Sequence, residues 1–306
     1  MGVGVADSAH MSPVSRGRNG KKSKQARTGV PSDAAAGDFA DPVEEVLEDV
    51  GLQIEGSDFE QMIEDIAATI ARFETVDDPV DGEYLAASLL AATYGTPEYD
   101  EAFAQMFIGE AEKQSDTGAL GFLRCVAVLT AEPSRTAARE AADRLVAAGI
   151  EAPEWTAELD EPVTGVEYLR WPAADGQGSV LYGSFERAGR LDGVLLFVDD
   201  EDCGAANDLA PFLGEGLAEA RRLTDERESA PGEPIPAEEF RWQAQAALDA
   251  RALHERAILE LGLDPEEPEE EDDVPHEVTD VVLRARLRVL PMPDKPLPVH
   301  VHPELG

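Results

Sequence analysis

Four consecutive carboxylates follow an apolar run in the segment LLFVDDEDCGAANDLAPF, residues 195–212. They are Asp199, Asp200, Glu201 and Asp202, and Asp208 follows shortly after them. Carboxylates at the end of a strand are suited to hold a divalent cation, and a magnesium site needs only one or two of them together with substrate phosphates. The segment therefore predicts either a metal-assisted hydrolase or phosphotransferase site, or a solvated turn in a very acidic protein.

Known cation and phosphate motifs distinguish these alternatives only in part. An EF-hand loop that began at Asp199 would place Gly204 correctly, but it would need an oxygen ligand where Cys203 stands and a glutamate where Ala210 stands. The chain also has no glycine-rich phosphate loop with a following lysine. The sequence thus favours the solvated turn and predicts no bound cofactor, with a divalent metal as the alternative.

A second group of metal-ligand side chains lies near the C-terminus, in the segment PVHVHPE. His300 and His302 would share one face of an extended chain, at a spacing that metals accept. A third ligand would have to come from His276 or from an acid. The alternative is an exposed segment with two solvated histidines.

Basic side chains are few, and they fall in two places. Arg284, Arg286 and Arg288 would line one face of a strand, where they could grip an anionic ligand or be neutralised by the protein's own acids. The tail segment RGRNGKKSKQAR could contact RNA or DNA weakly and without sequence preference.

The overall charge restricts the partners of the body of the protein. The formal net charge is −39, and residues 1–30 carry six basic residues against one aspartate, so residues 31–306 carry −44. Such a body is not expected to bind nucleic acid or anionic lipid, although it could mimic nucleic acid and occupy the basic groove of a partner. No apolar run reaches the roughly 18 residues that span a bilayer, and no secretory signal is evident, so we expect a cytoplasmic protein without a membrane partner.

Periodicity and capping signals predict the elements that position these groups. The segment SDFEQMIEDIAATIARF has apolar residues at helical spacing after a capping box, and helical signals continue to about residue 150. Three strand-like runs between residues 163 and 199 are joined by short loops, which predicts an antiparallel meander. The apolar run Val194 to Val198 does not alternate, which is typical of a strand covered on both faces.

Strict alternation marks the segment VVLRARLRV, residues 281–289, and predicts a late amphipathic strand. The fold class is therefore α+β, with a helical N-terminal region, a small antiparallel β-meander and C-terminal helices. The predicted organisation, in chain order, is a disordered basic tail (1–38), an α+β domain (39–226) with its meander at 163–199 and a helix at 209–223, a long helix (237–262), an acidic linker (263–277), and a strand followed by a proline-rich segment (278–306).

A resemblance covers residues 118 to 262. An apolar helix, an alanine-rich helix that ends AAGIEAPEW, the strand meander, and the pairs Val198-Asp199, Gly204-Ala205 and Asp208-Leu209 resemble an uncharacterised family of actinobacterial proteins. That family has a His-Asn pair where this sequence has Asp200 and Glu201. The resemblance implies a bacterial protein that contains the meander, and it implies no activity.

Taken together, the residues favour a non-catalytic protein-interaction or regulatory role, with another protein as partner. No nucleophile elbow and no cysteine beside an evident base is found in the sequence. The metal-assisted enzyme centred on the acidic turn is the first alternative, and the nucleic-acid mimic is the second. An enzyme would require these acids to converge with other polar groups in one pocket.

Overall fold

The computed structural model describes residues 56–173, 176–200, 203–261 and 274–300. Within them the chain has the α+β fold predicted from the sequence: a helical layer, a five-stranded antiparallel sheet, and helices that pack on both faces of the sheet. The tail at 1–38, the first residues of the predicted α+β domain (39–55) and most of the acidic linker lie outside the described residues. None of the described helices is long and apolar enough to cross a membrane.

Among the described residues, five α-helices and four short 3-10 helices build the helical layer. The helices are α1 (Gly56–Ala71), α2 (Pro79–Leu90), α3 (Asp100–Gln114), α4 (Thr117–Leu129) and α5 (Ser134–Ala147), and the 3-10 helices are Arg72–Thr75, Ala91–Thr93, Pro97–Tyr99 and Glu154–Asp160. Aspartate caps fix two of the starts, since Asp78 accepts from the Val80 amide at 2.8 Å and Asp116 from the Ala119 amide at 2.8 Å. Helix α4 is apolar nearly all round and is buried at the centre of this layer.

The sheet has the strand order β4-β3-β2-β1-β5, and every neighbouring pair is antiparallel. Its strands are β1 (Thr164–Pro172), β2 (Gly178–Arg187), β3 (Arg190–Asp199), β4 (Ala205–Leu213) and β5 (Glu233–Pro234). Ala188 and Gly189 close the β2–β3 hairpin with positive φ angles of 52° and 80°. A two-residue turn of this kind matches the twist of the strands it joins.

Helices cover both faces of the sheet. Helix α6 (Glu215–Arg227) packs its Leu217 against Trp171 and Leu195 on one face, and α7 (Ala237–Glu260) packs its Phe240 on the other. A Cβ on Gly183 would lie 2.3 Å from the Phe240 ring, so this contact requires glycine. The prediction that the apolar run of β3 is covered on both faces is thus confirmed.

One predicted element is wrong. The segment 281–289 is not a strand, because it lies in helix α8 (His276–Leu287) and the residues just after it. Val282 joins the core of the helical layer while Leu283 and Leu287 join the core under the sheet. A helix buried on two sides has no single apolar stripe, so its sequence can imitate the alternation of a strand.

The helix predicted at 209–223 begins later than expected. Residues up to Leu213 continue β4, and α6 starts only at Glu215 after Gly214, whose φ is 51°. The strand contains Pro211, which an edge strand accepts because one side of its backbone has no ladder partner. The long helix predicted at 237–262 corresponds to α7.

A buried ionic cluster joins α8 to the helical layer and to the sheet. Arg286 donates from Nη1 and Nη2 to Glu83 of α2 at 2.9 and 2.7 Å, and from Nε to Asp192 of β3 at 2.8 Å. Arg187 of β2 also donates to Glu83, at 3.1 Å. All four side chains are buried. We call this group the Arg286 cluster.

The two carboxylates of the Arg286 cluster respond differently to burial. Burial alone would raise the pKa of Glu83, but the guanidiniums of Arg286 and Arg187 hold that pKa below its ordinary value. Burial raises the pKa of Asp192 above its ordinary value. Asp192 accepts a hydrogen bond from Arg286, whereas Glu83 accepts from both Arg286 and Arg187. Glu83 is therefore the principal counterion of the cluster.

Replacing Arg286 tests both the cluster and the helical assignment of α8. Arg286→Leu should lower the free energy of unfolding by about 3–5 kcal/mol, because it leaves two buried carboxylates with too little positive charge. Urea denaturation measures this. The control is Arg222→Leu, which removes a guanidinium from an exposed ion pair with Glu219 and should change stability little. Equal effects of the two substitutions would contradict the burial of Arg286 and would favour the exposed arginine face of the predicted strand.

Candidate functional site

The acidic turn lies at the end of the β3–β4 hairpin. Asp199 ends β3 and pairs with Ala205 of β4, and the Asp200 amide donates to the carbonyl of Gln177 at 2.9 Å. The side chain of Asp200 is exposed. Glu201 and Asp202 lie outside the described residues. Backbone pairing therefore fixes Asp199, Asp200 and Ala205 on either side of the undescribed residues, and the carboxylate of Asp200 faces solvent.

Asp208 lies on β4, opposite Phe197 of β3. Its side chain is exposed, and Oδ1 accepts from the neighbouring Leu209 amide at 2.7 Å. Among the described residues, no group of three histidine, cysteine or acidic side chains has a geometry that could hold a metal ion. Since two of the turn's carboxylates are outside that set, the metal alternative stays a prediction.

Only one histidine of the predicted pair, His300, lies within the described residues. His300 ends a segment, residues 291–300, that lies against α7, with its ring centroid 6.4 Å from that of His254. Trp242 of α7 fixes the same segment by donating from Nε1 to the Pro296 carbonyl at 2.9 Å. His276 lies on α8, with Nε2 3.8 Å from Glu255 and its ring centroid 5.3 Å from that of Tyr94. His302 lies outside the described residues.

Neutralising the described acids of the turn separates the solvated turn from a metal site. Asp200→Asn combined with Asp208→Asn should leave the melting temperature equal or slightly higher, because it removes like charges from an acidic surface. Melts of both proteins with EDTA, Mg²⁺, Mn²⁺ or Ca²⁺ at constant ionic strength measure this. A metal that binds only the folded form would add about 2.7 kcal/mol at a hundredfold excess over its Kd. Such a gain in the wild type, lost in the variant, would establish the metal site instead.

A cavity of about 710 Å³ lies away from the acidic turn. It is formed by the end of α2, the short helices that follow it, α3, the α4–α5 connection, α7 and α8. Its walls are largely apolar, and these side chains are Leu90, Phe103, Phe107, Leu129, Leu253 and Val281. Phe103 and Phe107 lie one turn apart on α3 with ring centroids 6.1 Å apart, so they present one continuous aromatic surface.

Acids and arginines line the same cavity. The acids are Asp100, Glu101, Glu132 and Asp249, and the arginines are Arg256, Arg284 and Arg288. Thr93 donates its hydroxyl to Asp100 at 2.6 Å, and burial raises the pKa of Asp100 above its ordinary value. No histidine or cysteine is found among the described lining residues. The site therefore offers apolar contact together with charged groups.

Two of the lining arginines are already neutralised by carboxylates. Arg284 donates to Asp280 at 2.7 Å and to Asp249 at 2.6 Å. Arg256 pairs with Glu98 at 2.9 Å and Glu260 at 3.0 Å. A ligand anion would have to compete with these acids for either guanidinium, so neither arginine is a strong anion site.

Arg288 differs from its neighbours because no carboxylate of the described chain lies within 4.0 Å of it. Its Nη2 donates to the carbonyls of Leu129 and Val128, the latter at 3.4 Å, and its Nε is buried without an acceptor. Burial, followed by the charges of Arg135, Arg284, Arg241 and Arg286, lowers the pKa of Arg288 to about 10. The electrostatic surroundings of Arg288 thus favour an added negative charge.

The end of α4 explains why arginines gather here. Arg135 donates from Nε and Nη2 to the Thr130 carbonyl at 3.1 and 2.9 Å, and Arg288 binds the two preceding carbonyls. The last carbonyls of a helix lack partners within it and carry partial negative charge. Both guanidiniums therefore cap α4, but only Arg288 also lines the cavity.

The sequence pattern grouped Arg284, Arg286 and Arg288 on one face, whereas the structure separates them. Arg284 and Arg286 are neutralised by the protein's own acids, as the alternative interpretation of the arginine face proposed, and Arg288 is not. The cavity itself was not predicted. Its one sequence signal was the four-residue spacing of Arg284 and Arg288, which places both on the same side of a helix.

Comparison of the chain with protein-family models, with curated proteins and with solved structures found no match. The resemblance to an actinobacterial family accordingly stays a prediction.

Proposed function

We propose that this protein is a non-catalytic binding protein, and that the cavity between α3, α4, α7 and α8 is its functional site. One observation carries the proposal: a cavity of about 710 Å³ has aromatic and aliphatic walls and a few charged groups at defined positions. Sites for small organic ligands have volumes of about 300–1,000 Å³ and the same kind of lining. The ligand of such a site is an apolar molecule.

The position of the acidic turn supports binding over metal-assisted catalysis. Asp199, Asp200 and Asp208 are not among the residues that line the cavity. An enzyme built on these acids would need them to converge with other polar groups in one pocket. Two of the cavity's own acids are held in place by other contacts, since Asp100 accepts from the Thr93 hydroxyl and Asp249 accepts from Arg284.

The cellular setting is part of the proposal. We place the protein in a bacterial cytoplasm, where a body that carries −44 favours partners other than nucleic acid and anionic membranes. The expected protein partner would meet the acidic outer surface, and ligand occupancy of the cavity would then regulate that contact.

A neutral fluorescent probe tests whether the cavity binds apolar molecules. N-phenyl-1-naphthylamine should bind the full chain at one saturable site, since its fluorescence rises in apolar surroundings. Ala252→Phe introduces a ring at the cavity wall and should weaken binding by about tenfold or more. Fluorescence titration measures both affinities.

The matched control is Ala218→Phe, which adds the same ring to an exposed helical alanine on α6. It should leave the affinity of the probe unchanged. Equal affinities in the two variants, or no saturable binding to the wild type, would contradict the proposed function.

A further inference from the structure

Among the lining arginines of the cavity, Arg288 alone has no carboxylate within 4.0 Å in the described chain. The protein has 64 acidic residues and 25 basic ones, so carboxylates are plentiful. Acids were available nearby, because Arg284, one helical turn earlier, has two of them. A guanidinium left without a counterion in a partly buried, apolar setting is the feature expected where a ligand supplies the negative charge.

We propose that the ligand of this cavity is an apolar monocarboxylate whose carboxylate pairs with Arg288. The inference rests on the proposed function, and it adds the chemical class of the ligand and the residue that recognises it. The described hydrogen bonds of Arg288 use only Nη2 and its Nε is buried, so Nη1 is the part of its planar fork that remains for the ligand. A carboxylate matches such a fork in geometry and charge.

The charges around the cavity limit the ligand to a single negative charge. Asp100, Glu101, Glu132 and Asp249 line the same space, and the two other lining arginines are already paired. These acids would repel a dianionic phosphate, and the single uncompensated guanidinium of Arg288 would offset only one of its two charges. A monoanion needs only that one cation, so a carboxylate is favoured over a phosphate ester.

The apolar walls determine the remainder of the ligand. Leu129 lies at the Arg288 end of the cavity, because its carbonyl accepts from that guanidinium. Phe103, Phe107 and Leu90 extend the apolar surface from there. A ligand anchored at Arg288 would therefore place an aliphatic or aromatic body among these side chains, where its burial supplies most of the affinity.

Arg288 also caps α4, so the experiment must separate recognition from capping. Arg135 provides the control, since it caps the same helix end through the Thr130 carbonyl and does not line the cavity. Arg288→Gln and Arg135→Gln change the net charge equally. Any general repulsion between the acidic body and an anion is thus the same in both variants.

Calorimetric titration of the full chain with octanoate, octanol and octyl phosphate, at constant ionic strength, tests the proposal. The wild type should bind octanoate about tenfold more tightly than octanol, and octyl phosphate more weakly than octanoate. The preference for octanoate over octanol should vanish in Arg288→Gln and persist in Arg135→Gln.

Equal affinities for octanoate and octanol in the wild type would overturn the carboxylate assignment without using any variant, so the test holds even if Arg288→Gln fails to fold. Tighter binding of octyl phosphate would overturn the single-charge argument, and an equal loss of preference in both variants would overturn the role of Arg288. If the neutral fluorescent probe still binds in these cases, the proposed function stands. If neither the probe nor octanoate binds, both proposals fail.

Discussion

The Arg286 guanidinium lies between carboxylates from two layers of the fold, Glu83 on α2 and Asp192 on β3. A buried charge is tolerated only where its partners are held close to it, so this contact restricts how α8 can lie between the helical layer and the sheet. The position of α8 then determines where Arg284 and Arg288 project. The cavity and its uncompensated charge therefore depend on an ionic contact that lies outside the cavity.

Signals within short stretches of the sequence predicted the elements whose ends depend only on neighbouring residues. The helical spacing of SDFEQMIEDIAATIARF correctly predicted α1, and the short loops of the meander correctly predicted antiparallel pairing. The strand prediction for residues 281–289 was wrong because the side chains of helix α8 meet two cores and a buried ionic cluster. Arginine at position 286 suggested an exposed face, and only contacts distant in sequence make that charge tolerable in the interior.

The candidate site was less predictable than the fold, for a related reason. A run of four acids is conspicuous in the sequence, yet its described members, Asp199 and Asp200, lie at a hairpin end and do not line the cavity. The cavity instead collects residues from α3, α4, α7 and α8, and each of them is ordinary in its own segment. Only the tertiary contacts distinguish Arg288, whose acceptors are carbonyls, from Arg284, whose acceptors are carboxylates.

A double-mutant cycle between Glu83 and Arg286 tests the central claim most directly. Glu83→Gln, Arg286→Met and the double variant would be compared with the wild type by urea denaturation. Because each single change leaves a buried charge with too little compensation, the two losses should sum to more than the loss in the double variant, with a coupling energy of about 1–3 kcal/mol. Losses that add without coupling would show that Arg286 does not join α8 to the helical layer.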